Sequence, residues 1–392
     1  MHLTKDEERI LTGEEGAGRQ KAMELLVALG DIFAAERLIP VKSAQVSGAS
    51  FKTIGDAGIR WLEDMSEGTR ASVPSMVNPL GLDVRRWRSM GVSSDFHRKQ
   101  ARIVAAYRSM GLRPVYSCTP YLAGYRPRRG QHLAWAESSA TVFANSYIGA
   151  RTNREGGPSA LASAIIGKSP EYGLHLDENR LAKVEVNIPS IPDGLVPLAG
   201  YLVGKTAGNR IPLISGQALT EDEHKSFGAA VAATGAVSMY VSDRTVGHQK
   251  GSDIDRSMIE ERVTISSREL VQCAEELSGG DEWDLVAIGC PHSSTRELAH
   301  MAKKLKNRKP RRDCDVWFCT SRMVHSRCPQ HVATLRRFGN VLCDTCMVVA
   351  PIEEMYKRTA TNSGKAMVYL PTLGRQKASF RTTDQLLEAI SR

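Results

Sequence analysis

The 392-residue chain has no run approaching the roughly 18 apolar residues that a bilayer span needs. Its opening, "MHLTKDEERI", also has no apolar stretch of the kind that directs secretion. A protein that stays in the cytoplasm, with no membrane partner, is therefore expected. Aromatic residues make up only 6% of the chain, leaving few platforms on which nucleic-acid bases can stack. No GxGxxG or Walker A pattern follows an apolar strand-like segment, so a nucleotide is not the expected ligand. The single C-x-x-C, Cys343 and Cys346 in "LCDTCMVVAP", has no second C-x-x-C to complete a zinc site.

What is present is the composition of a soluble globular protein, 42% hydrophobic and 24% charged, long enough for two or three packed domains. The formal net charge of +9, with "KKLKNRKPRR" (303–312) and "RPRR" (126–129), suits a basic RNA-associated protein with structural thiols. Against that reading, 303–312 has the character of a final helical turn and a proline loop, where Lys and Arg complement the helix dipole. A solvated basic face, or one suited to anionic metabolites, is the better expectation, with no nucleic-acid partner.

The patterning divides into three parts. Over 1–130 a capping box, Thr4 to Glu7, opens a helical stretch. Three strand-like segments follow, "LIPVKSAQVSGAS" (38–50), "ASVPSMVNPLGLD" (71–83) and "LRPVYSCTPYLAG" (112–124). Each ends in polar residues: Ser47, Gly48 and Ser50, then Asn78, then Cys118. Over 131–265 a helix runs into the loop Asn153 to Gly157 and then into a second helix with Pro158 near its start, a helix start suited to an anion. Over 266–392 helical and strand-like segments alternate, which predicts β-α-β units with parallel strands. The expected fold class is α/β, several subdomains around a cleft beyond the strand carboxyl ends, where ligands collect in such sheets.

That rule sorts the eight cysteines. Cys118, Cys290, Cys319 and Cys346 fall at strand carboxyl ends and are candidates. Cys273, Cys314, Cys328 and Cys343 read as buried thiols, which pack as small hydrophobes. A thioredoxin-like couple is disfavoured, because Cys343 lies within the last strand and Cys346 beyond it. Single cysteines from separate loops suit an iron–sulfur cluster, since soft thiolates select such groups. Four ordinary thiols remain the alternative.

Seven segments, "PVKSAQVSGASFKTIGDAG", "YSCTPYL", "WAESSATVFANS", "GARTNREGGPSAL", "AIGCPHSS", "DTCMVV" and "TNSGKAMVY", together resemble the aconitase X family over nearly the whole chain. The resemblance implies an aconitase-like fold and a [4Fe-4S] cluster held by Cys118, Cys290 and Cys346, which removes Cys319 from the candidates. It implies a hydro-lyase that converts (R)-5-phosphomevalonate to trans-anhydromevalonate 5-phosphate in isoprenoid synthesis. The open cluster iron would act as a Lewis acid, and a separate small subunit would supply the base in a heterodimer. Relatives acting on cis-3-hydroxy-L-proline are the alternative within the family. Gly48, Ala49 and Ser50 would meet the carboxylate of a phosphorylated hydroxy acid, and Asn78 with Pro79 would position the substrate. Lys365 with Ser363 would meet the phosphate, and Arg154 and Glu155 would be further contacts. Each has a plainer reading: a turn at "SGAS", a strand end at Asn78, a solvated loop lysine at Lys365, an ion pair between Arg154 and Glu155. His292, two residues after Cys290, would either hydrogen-bond a cluster sulfur or cap the helix that follows it, and the cap is the preferred reading.

The split within "CDTC" gives a direct test. After anaerobic purification, Cys343→Ser should keep the parent's iron and sulfide content and Cys346→Ser should lose it; equal loss in both would show that the pair acts together.

Overall fold

A computed structural model describes residues 1–242 and 255–392; residues 243–254, within the middle segment, lie outside the described residues. The first body contains α1 (Lys5–Leu11), α2 (Ala17–Ile32), β1 (Leu38–Pro40), β2 (Ala44–Val46), α3 (Phe51–Ser66), β3 (Ser75–Val77), α4 (Ser94–Ser109) and β4 (Arg113–Tyr116). It continues through β5 (Ala134–Trp135), α5 (Ser138–Phe143), α6 (Gly157–Ile166) and β6 (Lys168–Pro170). Its main sheet has the order β4-β3-β2-β5 and is parallel throughout, while β1 and β6 form a small antiparallel pair. All four main-sheet strands therefore point their carboxyl ends to the same edge.

The middle body holds β7 (Val184–Ile188), α7 (Val196–Ala207), β8 (Pro212–Gly216), α8 (Glu221–Thr234), β9 (Val241–Ser242), β10 (Glu261–Thr264) and α9 (Ser267–Glu276), with a parallel sheet β10-β7-β8-β9. The last body holds β11 (Leu285–Ser293), α10 (Thr295–Leu305), β12 (Asp315–Thr320), α11 (Arg322–Arg327), α12 (Pro329–Leu335) and β13 (Asn340–Cys343). It ends with β14 (Arg358–Thr361), α13 (Gly364–Thr372), β15 (Lys377–Phe380) and α14 (Thr383–Ala389). Its five strands, ordered β13-β12-β11-β14-β15, are again all parallel. The α/β expectation is met, and the alternation seen over the last third is the cause: each helix is the crossover that a parallel pair requires.

Local chemistry sets the helix starts. The capping box expected at Thr4 and Glu7 is formed. Equivalent boxes open α8 at Thr220, α9 at Ser266, α10 at Ser294 and α14 at Thr382. The basic run 303–312 is, as read, the end of α10 and a following loop. No helix among the described residues is long and apolar enough to cross a membrane.

One hydrophobic cluster joins the first and last bodies. It packs Leu82, Met90, Val92 and Phe96 against Leu285, Ala287, Trp317 and Leu342. Because that shared core lies beside the β3 exit and the last sheet, the carboxyl edges of the two parallel sheets face each other. A backbone bridge closes the seam: Leu80 pairs with Thr345 in parallel, Leu80 N–H donates to Asp344 O at 2.8 Å, and Cys346 N–H donates to Leu80 O at 3.0 Å.

Candidate active site

Every strand around that seam delivers a polar side chain to it. From the first sheet come Cys118 after β4, Asn78 after β3, the Ser47–Ser50 turn after β2 and Glu137 after β5. From the last sheet come Cys290 on β11, Cys346 after β13, and Ser363 and Lys365 after β14. Register between β11 and β12 shifts between Ile288 and Ser293, so Cys290 sits on a bulge. Gly289 makes that bulge possible: its φ is +105° and a Cβ there would stand 2.2 Å from the Cys319 carbonyl oxygen.

The three thiols share one electrostatic neighbourhood. Burial raises the pKa of each, that of Cys346 to about 12. Cys290 adds to the upward shift at both Cys118 and Cys346, and Lys365 opposes it at all three. Cys118 is buried, while Cys290 and Cys346 keep partial exposure. Cys290 also lines a cleft of about 710 Å³ with Lys225, Glu297, Arg296 and Asn362, within the size range of small-molecule sites. None of the eight cysteines is in a disulfide. Among the described residues no three His, Cys, Asp or Glu side chains close around a single ion. Three soft sulfurs from three loops fit a polynuclear iron–sulfur group, whose thiolates ligate different irons.

Cys319, also a strand-end residue, lies in β12 with no exposure and is part of the shared core. The thiols of Cys346, Cys290 and Cys118 raise its pKa after burial does, so it lies behind the site as packing. Cys343 ends β13, fully in the sheet, and its pKa is pushed up to about 12 by burial and then by Asp344. The two members of the C-x-x-C thus answer to different charges. Asp344 between them has φ +62°, and Arg322 ties it to Asp83, whose other oxygen accepts from Cys343 N–H at 2.8 Å.

Glu137 and Lys365 form a largely buried ion pair across the seam. Burial pushes the Glu137 pKa up, but Lys365, Asn78 and Ser139 outweigh it and hold the carboxyl below its usual range. Burial lowers the Lys365 pKa, yet Glu137 and the three thiols leave it well above its usual range. Asn78 Nδ2 donates to Glu137 at 2.5 Å, whereas Asn78 Oδ1 is buried and accepts no bond from any described residue. Lys365 was expected in a loop. It is instead in the first turn of α13, where Ser363 caps the helix by accepting from Ala366 N–H at 3.0 Å; the Ser363 hydroxyl also works against the upward shift of the Cys290 pKa. Pairing and burial exclude the solvated-lysine reading.

In the "SGAS" turn, Gly48 has φ +78° and Ser50 caps α3. The Ser50 hydroxyl donates to Val349 O at 2.7 Å, and Lys52 pairs with Glu353 at 2.5 Å, fastening the turn to the Cys346 loop. The N–H groups of Gly48 and Ala49 make no hydrogen bond to any described residue. Arg154 and Glu155 are not paired with each other: Arg154 is exposed and reaches Ala232 O at 3.3 Å, and Glu155 is buried on Ser159 at 2.6 Å and Ser169 at 3.5 Å. His292 does not cap α10, because Ser294 does. Glu137 carried no warning in the sequence beyond its place at the exit of "AW", a two-residue strand.

The comparisons agree with this architecture. Profiles of the aconitase X first, second and third domains match residues 1–178, 180–275 and 283–392. A phosphomevalonate dehydratase large subunit of Methanosarcina mazei is 46% identical over 380 residues, 95% of this chain and 92% of that protein. A cis-3-hydroxy-L-proline dehydratase of Pseudomonas aeruginosa is 33% identical over 94% of this chain but only 67% of its own length. A crystal structure of Thermococcus kodakaraensis aconitase X in a holo-form superposes with a TM-score of 0.91 at 40% identity, covering both chains completely.

The Glu155 environment makes a prediction about stability. Burial holds its carboxyl above the usual range, only partly offset by the serine hydroxyls. The folded chain then keeps a proton that the unfolded chain has lost, so stability falls as pH rises from the unfolded range near about 4 through the folded value. Glu155→Gln removes that loss. Its melting temperature should exceed the parent's by more at pH 8 than at pH 4 in calorimetric scans; an equal or smaller gap at pH 8 would contradict the assignment.

Proposed function

The chain belongs to the aconitase X family, and we propose that it is the large subunit of a hydro-lyase that dehydrates (R)-5-phosphomevalonate to trans-anhydromevalonate 5-phosphate. The observation that carries the reading is the convergence of Cys118, Cys290 and Cys346 on one buried lysine and one buried carboxylate at facing sheet edges. The similarity to a phosphomevalonate dehydratase large subunit, nearly complete on both chains, supports the substrate.

In this reading Cys118, Cys290 and Cys346 hold a [4Fe-4S] cluster. When bound, such a group supplies Lewis acidity toward a hydroxyl and a carboxylate. The chain's own residues do the positioning. Asn78 is held by Glu137 through its amide N–H, leaving its free Oδ1 to accept from the substrate's hydroxyl. Gly48 and Ala49 offer their unengaged N–H groups to the carboxylate, while Ser50 and Leu80 keep the two turns against the Cys346 loop. Lys365, assigned to the phosphate on resemblance, is better placed to offset the negative charge of the thiolates, and the Ser363 hydroxyl also favours the Cys290 thiolate. Arg154, exposed at the surface, and Glu155, bonded to Ser159, are proposed as further contacts only.

Dehydration also needs a base for the neighbouring carbon, and the three titratable groups described beside the thiols are poorly suited to that role. Lys365 is held protonated, Glu137 is held ionised with a weakened affinity for protons, and both ring nitrogens of His292 are hydrogen-bonded. A base from a separate small subunit completes the site, in keeping with the large-subunit name of the relatives. That makes the functional unit a heterodimer.

The test is anaerobic turnover by the chain mixed with its small subunit, offered (R)-5-phosphomevalonate and cis-3-hydroxy-L-proline in separate assays. Only the phosphorylated acid should be dehydrated, and neither subunit should act alone; turnover of hydroxyproline alone would overturn the substrate. Asn78→Ala should lower kcat/KM by about ten- to a hundred-fold, the loss expected when a buried hydrogen bond to the reacting group is removed.

A further inference from the structure

We propose that His292 is the positioning residue that sets the spacing of the three cysteine loops, so that their sulfurs are already placed when a polynuclear metal group binds. The proposal rests on the reading above, in which those sulfurs are ligands.

Every polar atom of His292 is engaged, and the four bonds reach the β4 exit, the Cys346 loop and α8. Its backbone N–H donates to Cys118 Sγ at 3.2 Å. Its ring Nδ1 lies 3.1 Å from the Ser117 hydroxyl, and its ring Nε2 lies 2.8 Å from the Thr345 carbonyl oxygen. Its own carbonyl accepts from Lys225 Nζ of α8 at 3.1 Å. Ser117 precedes Cys118, Thr345 precedes Cys346, and His292 itself stands two residues after Cys290. One side chain therefore touches the neighbour of two cysteines while its backbone carries the third and bonds the first.

The partners fix the tautomer. A carbonyl oxygen only accepts, so Nε2 carries the hydrogen, and Nδ1 must then accept from the Ser117 hydroxyl. Ser117 Oγ in turn accepts from Thr119 N–H at 3.1 Å, which fixes the hydroxyl in place. The ring is 1% exposed, so no water can substitute for either partner without repacking. The N–H donated to Cys118 favours its thiolate, the form that ligates metal. Lys225, also paired with Glu297, anchors the same residue to the middle body. Outer partners of this kind orient ligands and hold the metal's affinity.

The experiment uses the full chain reconstituted anaerobically with iron and sulfide, alongside His292→Ala, His292→Gln and Ser117→Ala. Two quantities are read: the rate of iron transfer to a chelator and the melting temperature of the metal-free chain. His292→Ala should release iron about ten- to a hundred-fold faster than the parent, the range for lost outer partners of metal ligands. His292→Gln, whose amide N–H can still reach the Thr345 carbonyl, should release iron more like the parent than like the alanine variant. Ser117→Ala should fall between, and the order of release should follow these bonds even where metal-free melting temperatures coincide. Iron release from His292→Ala and Ser117→Ala at the parent's rate would overturn the proposal, as would glutamine behaving like alanine. If the alanine variant fails to fold, the glutamine and serine variants decide. A parent chain that takes up no iron and sulfide would instead sink the underlying reading of the thiols.

Discussion

A carboxylate and an ammonium withdrawn from water hold the site together. Glu137 leaves the first sheet and Lys365 begins a helix of the last body, and their pairing spans 228 residues of sequence. Removing one member of such a buried pair costs about 3–5 kcal/mol, because the other is left as an uncompensated charge. An ordinary internal hydrogen bond contributes about 1 kcal/mol net. Losing either member is therefore more costly than losing an ordinary neutral hydrogen bond, and the pair also sets the charge around the sulfurs. The Lys365 charge works against the upward shift of all three thiols, and Glu137 is the anion that keeps that cation charged. Burial alone would leave Cys118, Cys290 and Cys346 protonated. One lysine reduces that cost without removing it, so metal binding must still displace protons.

The remaining contacts distribute the job of alignment. The shared core of Leu82, Phe96, Trp317 and their neighbours brings two parallel sheets edge to edge. The Leu80–Thr345 bridge sets their register, and Arg322 between Asp83 and Asp344 stiffens the turn that presents Cys346. His292 then joins three cysteine-bearing segments through one ring and one peptide unit. Each layer depends on the one before it. Without the core there is no seam, and without the seam the ring of His292 has no common point to reach.

Much of this was legible in the sequence, and the failures are informative. Strand carboxyl ends predicted where Cys118, Cys290, Cys346 and Asn78 would emerge, because a parallel sheet delivers its exits to one edge. The same reasoning separated Cys343 from Cys346 within three residues. Glu137 escaped notice because its strand is two residues long and its partner is remote, so neither periodicity nor local spacing marks it. The loop reading of Lys365 fails because α13 already begins at Gly364. The glycine is there for packing: a Cβ at that position would stand 2.3 Å from the Pro197 carbonyl oxygen of α7. His292 was read as a helix cap, but a cap needs an oxygen to accept the N3 amide, and Ser294 provides it. Strands β14 and β15, "RTAT" and "KASF", have too little alternation to be seen alone; parallel pairing beside β11 makes them strands.

The central claim is that three sulfurs from two facing sheet edges hold one polynuclear iron group. Iron K-edge X-ray absorption on the anaerobic two-subunit complex tests it most directly, because it reads both the atoms bound to iron and the presence of neighbouring irons. The account predicts sulfur-dominated coordination with an iron–iron scattering shell, both lost in Cys118→Ser. Iron bound only by oxygen and nitrogen, or an isolated iron with no iron neighbour, would contradict it.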